Sequence, residues 1–322
     1  MSRVLVTGAG GFIGHHLCKY LVEKGHEVRG ADLKRPEFEA TSAQEFMLLD
    51  LRRFDDCLLA TRGISHVYHL AADMGGIGYI TAVHAGVSRN IALMNLQMLE
   101  AARMNEISRF FFSSTACVYS LDCQESPDVT PLKEEDAHPA NPEEGYGWAK
   151  LFTEKLCQYY RDDYGLQTRV ARFHNTYGPM GAFDGGREKA PAAICRKIAM
   201  APREGEIEVW GDGKQTRTFM YIDDCVEGIV RIMQSDHSDP INLGNEELVT
   251  INQLVDYIAD ASGKKIRPRH DLSQPQGVRG RNSDNSRLES VVGWKPSIPL
   301  REGLAPTYRW IEDELRKAGR IT

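Results

Sequence analysis

Residues 3–14 read RVLVTGAGGFIG. An aliphatic run flows without a break into glycines at positions 8, 11 and 14, and then into the amphipathic stretch 12–23. The apolar run predicts a strand buried on both faces, and the stretch after it predicts a helix. Glycines at the junction allow a tight turn and let backbone N–H groups approach a diphosphate at the helix N-terminus. Gly8, Gly11 and Gly14, with Phe12 and Ile13 opening the helix, are therefore the candidate dinucleotide loop. A glycine-rich turn that binds nothing would share this spacing. The strand–turn–helix order, followed by an acidic residue at the end of the next strand, separates the two readings.

Outward from this stretch the pattern repeats as far as residue 174. Apolar runs at 27–32 (EVRGAD), 46–51 (FMLLDL), 66–72 (HVYHLAA), 109–115 (RFFFSST) and 168–174 (TRVARFH) alternate with helical stretches, among them one near Val87–Met104 and one after Tyr146. This alternation predicts an α/β fold, a Rossmann-like doubly wound parallel sheet. After Asn175 the texture changes to loops rich in Gly, Pro and charge: 176–191, 210–219 and 275–285. We expect an NAD-binding domain over 1–174, with a return segment near 218–235, and a smaller, interleaved C-terminal substrate-binding lobe over 175–322.

The composition of the 322 residues, 42% hydrophobic and 26% charged, is that of a globular protein. A net charge of −6, from 45 acidic against 39 basic side chains, argues against a general nucleic-acid or anionic-membrane binder. The N-terminus shows no apolar signal segment, and no run approaches the ~18 apolar residues of a membrane span. The seven cysteines, at 18, 57, 117, 123, 157, 195 and 225, are odd in number and without CxxC spacing. No disulfide framework and no metal site are expected, and a reducing cytoplasm fits best.

Asp32 closes the second apolar run. A carboxylate there accepts hydrogen bonds from a ribose diol and repels a 2′-phosphate, so NAD is expected over NADP, with Lys34 and Arg35 close enough to soften the choice. Asp50, with Leu51 at the end of FMLLDL, is a candidate partner for the adenine; an exposed strand-end carboxylate is an equal reading. Tyr146 and Lys150 form YGWAK, and i, i+4 spacing puts both on one helix face. An ammonium beside a phenol favours phenolate, which would make Tyr146 a base able to take a hydroxyl proton while NAD takes the geminal hydride. Thr115 ends the strand RFFFSST, and Cys117 follows two residues beyond.

The glycine loop, Thr115 and the Tyr146/Lys150 pair together resemble the extended short-chain dehydrogenase/reductase superfamily, in its nucleotide-sugar epimerase and dehydratase branch. In that branch a Ser or Thr, a Tyr and a Lys form the triad, which Thr115, Tyr146 and Lys150 match. The stretches HLAADMGGIGYI, SSTACVY, RFHNTYGPMG, GGREKAPAA, GDGKQTRTF and GVRGRNSDN are similar to those of members that act on GDP-mannose. That likeness, which spans nearly the whole chain, implies inversion of C3 and C5 through a 4-keto sugar to give GDP-L-galactose, together with GDP-L-gulose.

Dehydratases of the branch carry an Asp–Glu pair where Ala116 and Cys117 stand. A 4-keto group acidifies the C3 and C5 protons, and inverting those centres needs a base on one face and an acid on the other. A thiol tuned by a nearby cation can be that base. The resemblance gives Lys189 as its partner; by itself Lys189 reads as a solvated lysine at a helix start. It also implies substrate contacts at Gly75, with Gly76 and Gly78 in the same loop, and at Thr115, Asn175, Glu188, Lys189 and Ala190. Further contacts implied are Lys197, Gln215, Thr216, Arg217 and Arg279, the two arginines being suited to phosphate. A homodimer packed through the helices near Val87–Met104 and Tyr146–Tyr164 is implied as well. Two alternatives stay open: an epimerase of another nucleotide sugar, and a non-catalytic NAD-sensing protein on the same fold.

Overall fold

The computed structural model describes residues 2–75, 83–274 and 276–321. Gly76 and Gly78 lie outside the described residues. The centre is a seven-stranded sheet built from β1 (Arg3–Thr7), β2 (Glu27–Asp32), β3 (Glu45–Leu48), β4 (His66–His69), β5 (Arg109–Thr115), β6 (Gln167–Phe173) and the strand Ile241–Leu243. Every pairing in it is parallel. From β1 the chain adds β2 and β3 on one side, then returns to lay β4, β5, β6 and Ile241–Leu243 on the other. The order therefore reverses at β1 and β4, and a crevice opens there beyond the carboxyl ends of the strands.

Successive side chains of a strand point to opposite faces, and here both faces are covered. Val4 and Val6 of β1 and Phe111 of β5 enter a core with the helices Phe12–Glu23 and Ile222–Gln234. Leu5, Phe110 and Phe112 enter the opposite core, with the helices His84–Met104 and Tyr146–Tyr164. A third core, around Ile194, Ile198, Leu254, Ile258, Leu304 and Ile311, holds the second lobe together. That lobe is interleaved: helix Ile222–Gln234 and strand Ile241–Leu243 belong to the first lobe's layers, although they follow 175–221 in the chain.

Two elements are shorter than the sequence suggests. The run 46–51 is strand only as far as Leu48, so Asp50 and Leu51 fall in the turn beyond it. The run 66–72 is strand only to His69. Both ends are where the sheet stops having a neighbour to pair with and the crevice begins. Among the described residues no helix is long and apolar enough to cross a membrane, and no cluster of His, Cys, Asp and Glu could hold a metal ion.

Candidate active site

The crevice is a cleft of 640 Å³ that runs from the glycine loop past Thr115 to the second lobe. At one end, Gly14 lets the helix Phe12–Glu23 start hard against β1: a Cβ at this position would come within 2.1 Å of the Gly8 carbonyl oxygen. The helix N-terminus has no side-chain cap and no acidic residue in its first turn, so its free N–H groups meet no competing carboxylate. Asp32 stands opposite. Its carboxylate accepts from the Gly10 N–H at 2.9 Å and the Lys34 N–H at 3.2 Å, and burial raises its pKa. Open N–H groups for a diphosphate and a carboxylate at the end of β2 fit a dinucleotide of the NAD type. Gly8, Gly11, Phe12, Ile13, Asp50 and Leu51 line the same cleft. The Asp50 carboxylate is engaged by Arg52, at 2.8 and 2.7 Å, and this partner holds its pKa below the usual range.

In the middle of the cleft stand Thr115, Tyr146, Lys150 and Lys189. Of the three hydroxyls ending β5, two are committed elsewhere. Ser113 donates to the His69 carbonyl, and Ser114 donates to Glu154 at 2.5 Å. The Thr115 hydroxyl oxygen accepts from the Cys117 N–H at 3.2 Å and so starts the short 3-10 turn Ala116–Val118. Lys150 donates to the Ser113 carbonyl at 2.6 Å, and burial lowers its pKa to about 7.

The expected depression of the Tyr146 pKa is not found. Burial pushes it up, the facing Cys117 adds to this, and Thr115 only partly opposes it. The reason is geometric. The Lys150 nitrogen lies 5.9 Å from the Tyr146 ring centre and spends its hydrogen bond on Ser113, so burial of the phenol dominates.

Cys117 stands just behind the cleft wall. It reaches Tyr146 because residue 147 is glycine: a Cβ there would lie 2.3 Å from the Cys117 carbonyl oxygen. Burial, and then the charge of Glu143, push the thiol up to about 11, and Arg281 opposes them. A cation that touches the sulfur is Arg281. Arg281 Nη1 lies 3.6 Å from the sulfur, its Nε donates to Gln124 Oε1 at 2.6 Å, and its Nη2 pairs with Glu143. The sequence reading passed over Arg281 and Glu143. The strand pairing Gly280–Arg281 with Thr216–Arg217 is what turns Arg281 inward beside Arg217. Lys189, the residue before helix Ala190–Met200, faces the same thiol, and burial lowers its pKa.

The other substrate candidates surround this centre. Gly75 is buried at the edge of the described segment. Asn175 opens the strand Asn175–Tyr177 and donates to the Thr218 carbonyl. Glu188 accepts from Arg196 at 3.1 Å, while its second oxygen is buried without a partner among the described residues, as is Gln215 Oε1. Ala190 starts the helix on which Lys197 reaches the Glu208 carbonyl at 2.8 Å. Thr216 donates to the Pro127 carbonyl, and half-buried Arg217 to those of Thr216 and Val278. Arg279 lies farther out, held by both oxygens of Asp212 at 3.1 Å.

Comparison with known proteins places the fold and the sequence among relatives. The chain is 46% identical to GDP-mannose 3,5-epimerase 1 of Oryza sativa subsp. japonica over 317 residues, covering 98% of this chain and 83% of that protein. It is 45% identical to GDP-mannose 3,5-epimerase of Arabidopsis thaliana with the same coverage. Among solved structures, UDP-glucose 4-epimerase of Thermotoga maritima with UDP-glucose superposes with a TM-score of 0.88 at 26% identity, over 97% of this chain and 99% of that one. UDP-glucose 4-epimerase of Thermus thermophilus in complex with NAD superposes with a TM-score of 0.82 at 25% identity, over 96% and 98%. The model of the NAD dependent epimerase/dehydratase family matches residues 4–244, which span the sheet, the glycine loop and the Tyr146/Lys150 helix, and the chain belongs to that family.

Proposed function

We propose that this chain is an isomerase that converts GDP-mannose to GDP-L-galactose, with GDP-L-gulose as the product of inversion at C5 alone. The observation that carries the reading is that Thr115, Tyr146, Lys150 and a second lysine, Lys189, line the middle of the cleft, with the Cys117 thiol just behind its wall facing Tyr146 and Lys189. The identity to plant GDP-mannose 3,5-epimerases over almost the whole chain supports the same substrate. Bound NAD supplies a hydride acceptor for C4 and is restored at the end of each turnover.

Tyr146 takes the C4 hydroxyl proton, with Thr115 orienting that hydroxyl and Lys150 holding the helix to the end of β5. Once C4 is a ketone, Cys117 as thiolate removes the proton from C5 while the Lys189 ammonium delivers one to the opposite face. The thiol then gives its proton to solvent and the amine takes one from it, and the restored pair acts in the same way at C3. Tyr146 returns its proton to the C4 oxygen on re-reduction. Gly75, Asn175, Glu188, Ala190 and Lys197 surround the sugar. Gln215, Thr216, Arg217 and Arg279 serve the diphosphate end, where guanidinium groups match phosphate geometry.

The test is Cys117→Ala in D₂O with GDP-mannose. The wild type places deuterium at C5 and C3 and none at C4. The variant accumulates reduced-nicotinamide absorbance yet forms no inverted product. Near-normal inversion at C5 by the variant overturns the role of Cys117.

The protein works as a cytoplasmic homodimer in this reading. Trp148, Phe152 and Tyr159 project from one helix, and Leu96 and Met104 from its neighbour, all exposed in the single chain. Two copies pressed together through these helices would cover them.

A further inference from the structure

The basic groups around Cys117 are accompanied by a carboxylate that the proposed mechanism does not use. Glu143 lies three residues before Tyr146, and its N–H donates to the Cys117 carbonyl at 3.0 Å. Its side chain is largely buried and pairs with Arg281 Nη2. The same guanidinium presents Nη1 to the Cys117 sulfur at 3.6 Å and is anchored through Nε to Gln124. One arginine is therefore divided between a carboxylate and the candidate base. Among the described residues, the groups facing the thiol are Glu143, Arg281, Arg217, Lys189, the Tyr146 phenol and the Thr115 hydroxyl. Arg217 faces Glu143 and Arg281 from the neighbouring strand.

Lys189 is half-buried in this surrounding, and the Arg281 guanidinium disfavours its ammonium. A base and an acid on opposite faces are needed together, so the lysine must keep its proton in this surrounding. We propose that Glu143 is a positioning residue for the acid–base pair, its fixed negative charge holding Arg281 against Cys117 and keeping Lys189 in its protonated, proton-donating form. This rests on the assignment of Cys117 and Lys189 as base and acid.

The sign of the effect follows from Coulomb's law. A carboxylate opposes formation of the nearby thiolate and favours the nearby ammonium, so it raises the proton affinity of both. Arg281 acts in the opposite direction on both groups and is itself half-neutralised by Glu143. Removing the charge while keeping the shape, as in Glu143→Gln, lets the thiolate form more readily and makes Lys189 lose its proton earlier. The two titrate as a coupled pair, so both limbs of a bell-shaped profile move the same way.

The experiment measures kcat/KM for C5 inversion of GDP-mannose by the NAD-loaded enzyme across pH, in the wild type, Glu143→Gln and Glu143→Asp. Glu143→Gln is expected to move both limbs to lower pH by about one unit. Glu143→Asp keeps the charge and leaves the limbs where they are, at reduced amplitude. A Glu143→Gln profile that loses height with its limbs within about 0.3 unit of the wild type reveals a merely structural residue and overturns the proposal. An Asp variant that shifts as far as the Gln variant overturns it as well. If Glu143→Gln does not accumulate, the Asp profile decides: unmoved limbs support the proposal and moved limbs overturn it. Cys117→Ala, measured alongside, separates the two levels. Continued C5 inversion in that variant removes the underlying assignment, whereas a dead Cys117→Ala with unmoved Glu143→Gln limbs removes only the role of Glu143.

Discussion

The Lys150 ammonium donates to the Ser113 carbonyl, 2.6 Å away, and stands 5.9 Å from the centre of the Tyr146 ring. The lysine thereby ties the helix carrying the tyrosine to the strand carrying Thr115. Tyr146→Phe keeps the ring and its packing and removes only the oxygen. Oxidation at C4 should fall by ~100- to 10,000-fold, read as reduced-nicotinamide absorbance on mixing with GDP-mannose, while NAD binding stays. Turnover above about a tenth of the wild type would remove Tyr146 from the redox step.

Burial of Lys150 also makes stability depend on pH. Its folded pKa, about 7, lies below the ordinary 10.5, so between these values the unfolded chain binds more protons than the folded one. The contribution of this group to stability therefore rises with pH through that window, and its penalty is complete below pH 7. Lys150→Met removes the titration at the cost of the Ser113 hydrogen bond. The Tm of the variant minus that of the wild type should be most positive near pH 6 and decline steadily towards pH 10; a flat difference would contradict the depressed pKa.

Glu154, one turn beyond Lys150, is fully committed. It accepts from Ser114 at 2.5 Å and from Arg172 at 3.0 and 2.8 Å, and both partners of the ion pair are buried. Glu154→Ala strands the Arg172 charge and should cost about 3–5 kcal/mol, seen as a lower midpoint in urea. A loss below about 1 kcal/mol, the worth of a surface pair, would mean that water reaches Arg172.

Asp32 holds the glycine loop through Gly10 and faces the cleft. Asp32→Ala should weaken NAD binding by ~10-fold or more, the worth of a charged hydrogen bond, with a smaller effect on NADP. Titration calorimetry with both dinucleotides checks this. Equal wild-type affinities for the two would contradict the reading of this carboxylate.

Phe152 is 51% exposed in the single chain, on a helix face shared with Trp148. Phe152→Asp should halve the mass measured by light scattering after gel filtration, because a buried unpaired charge penalises a helix-to-helix interface. An unchanged dimer mass would place the interface elsewhere, and a monomeric wild type would remove the dimer altogether.

The strands and the loop were legible because their signals are local. RVLVTG followed by three glycines can be read without knowing what packs against it, and so can YGWAK on a helix. Ile241–Leu243 was not read as a strand of the sheet, since three residues carry no periodicity and only the edge of β6 makes them a strand. Asp50 was read at a strand end because its apolar neighbours continue the run, but pairing with β2 ends at Leu48.

By itself the sequence determined the doubly wound sheet, the dinucleotide loop and the family, because hydrophobic period and glycine position act over a few residues. The tertiary structure decided how the reacting groups meet. Gly147 lets the helix bearing Tyr146 press on the turn bearing Cys117, and the pairing of 280–281 with 216–217 carries Arg281 to the thiol. The direction of each pKa shift was decided there too. A phenol, a thiol and two lysines take their proton affinities from burial and from charges far away in the chain, and neither quantity is written in the residues on either side of them.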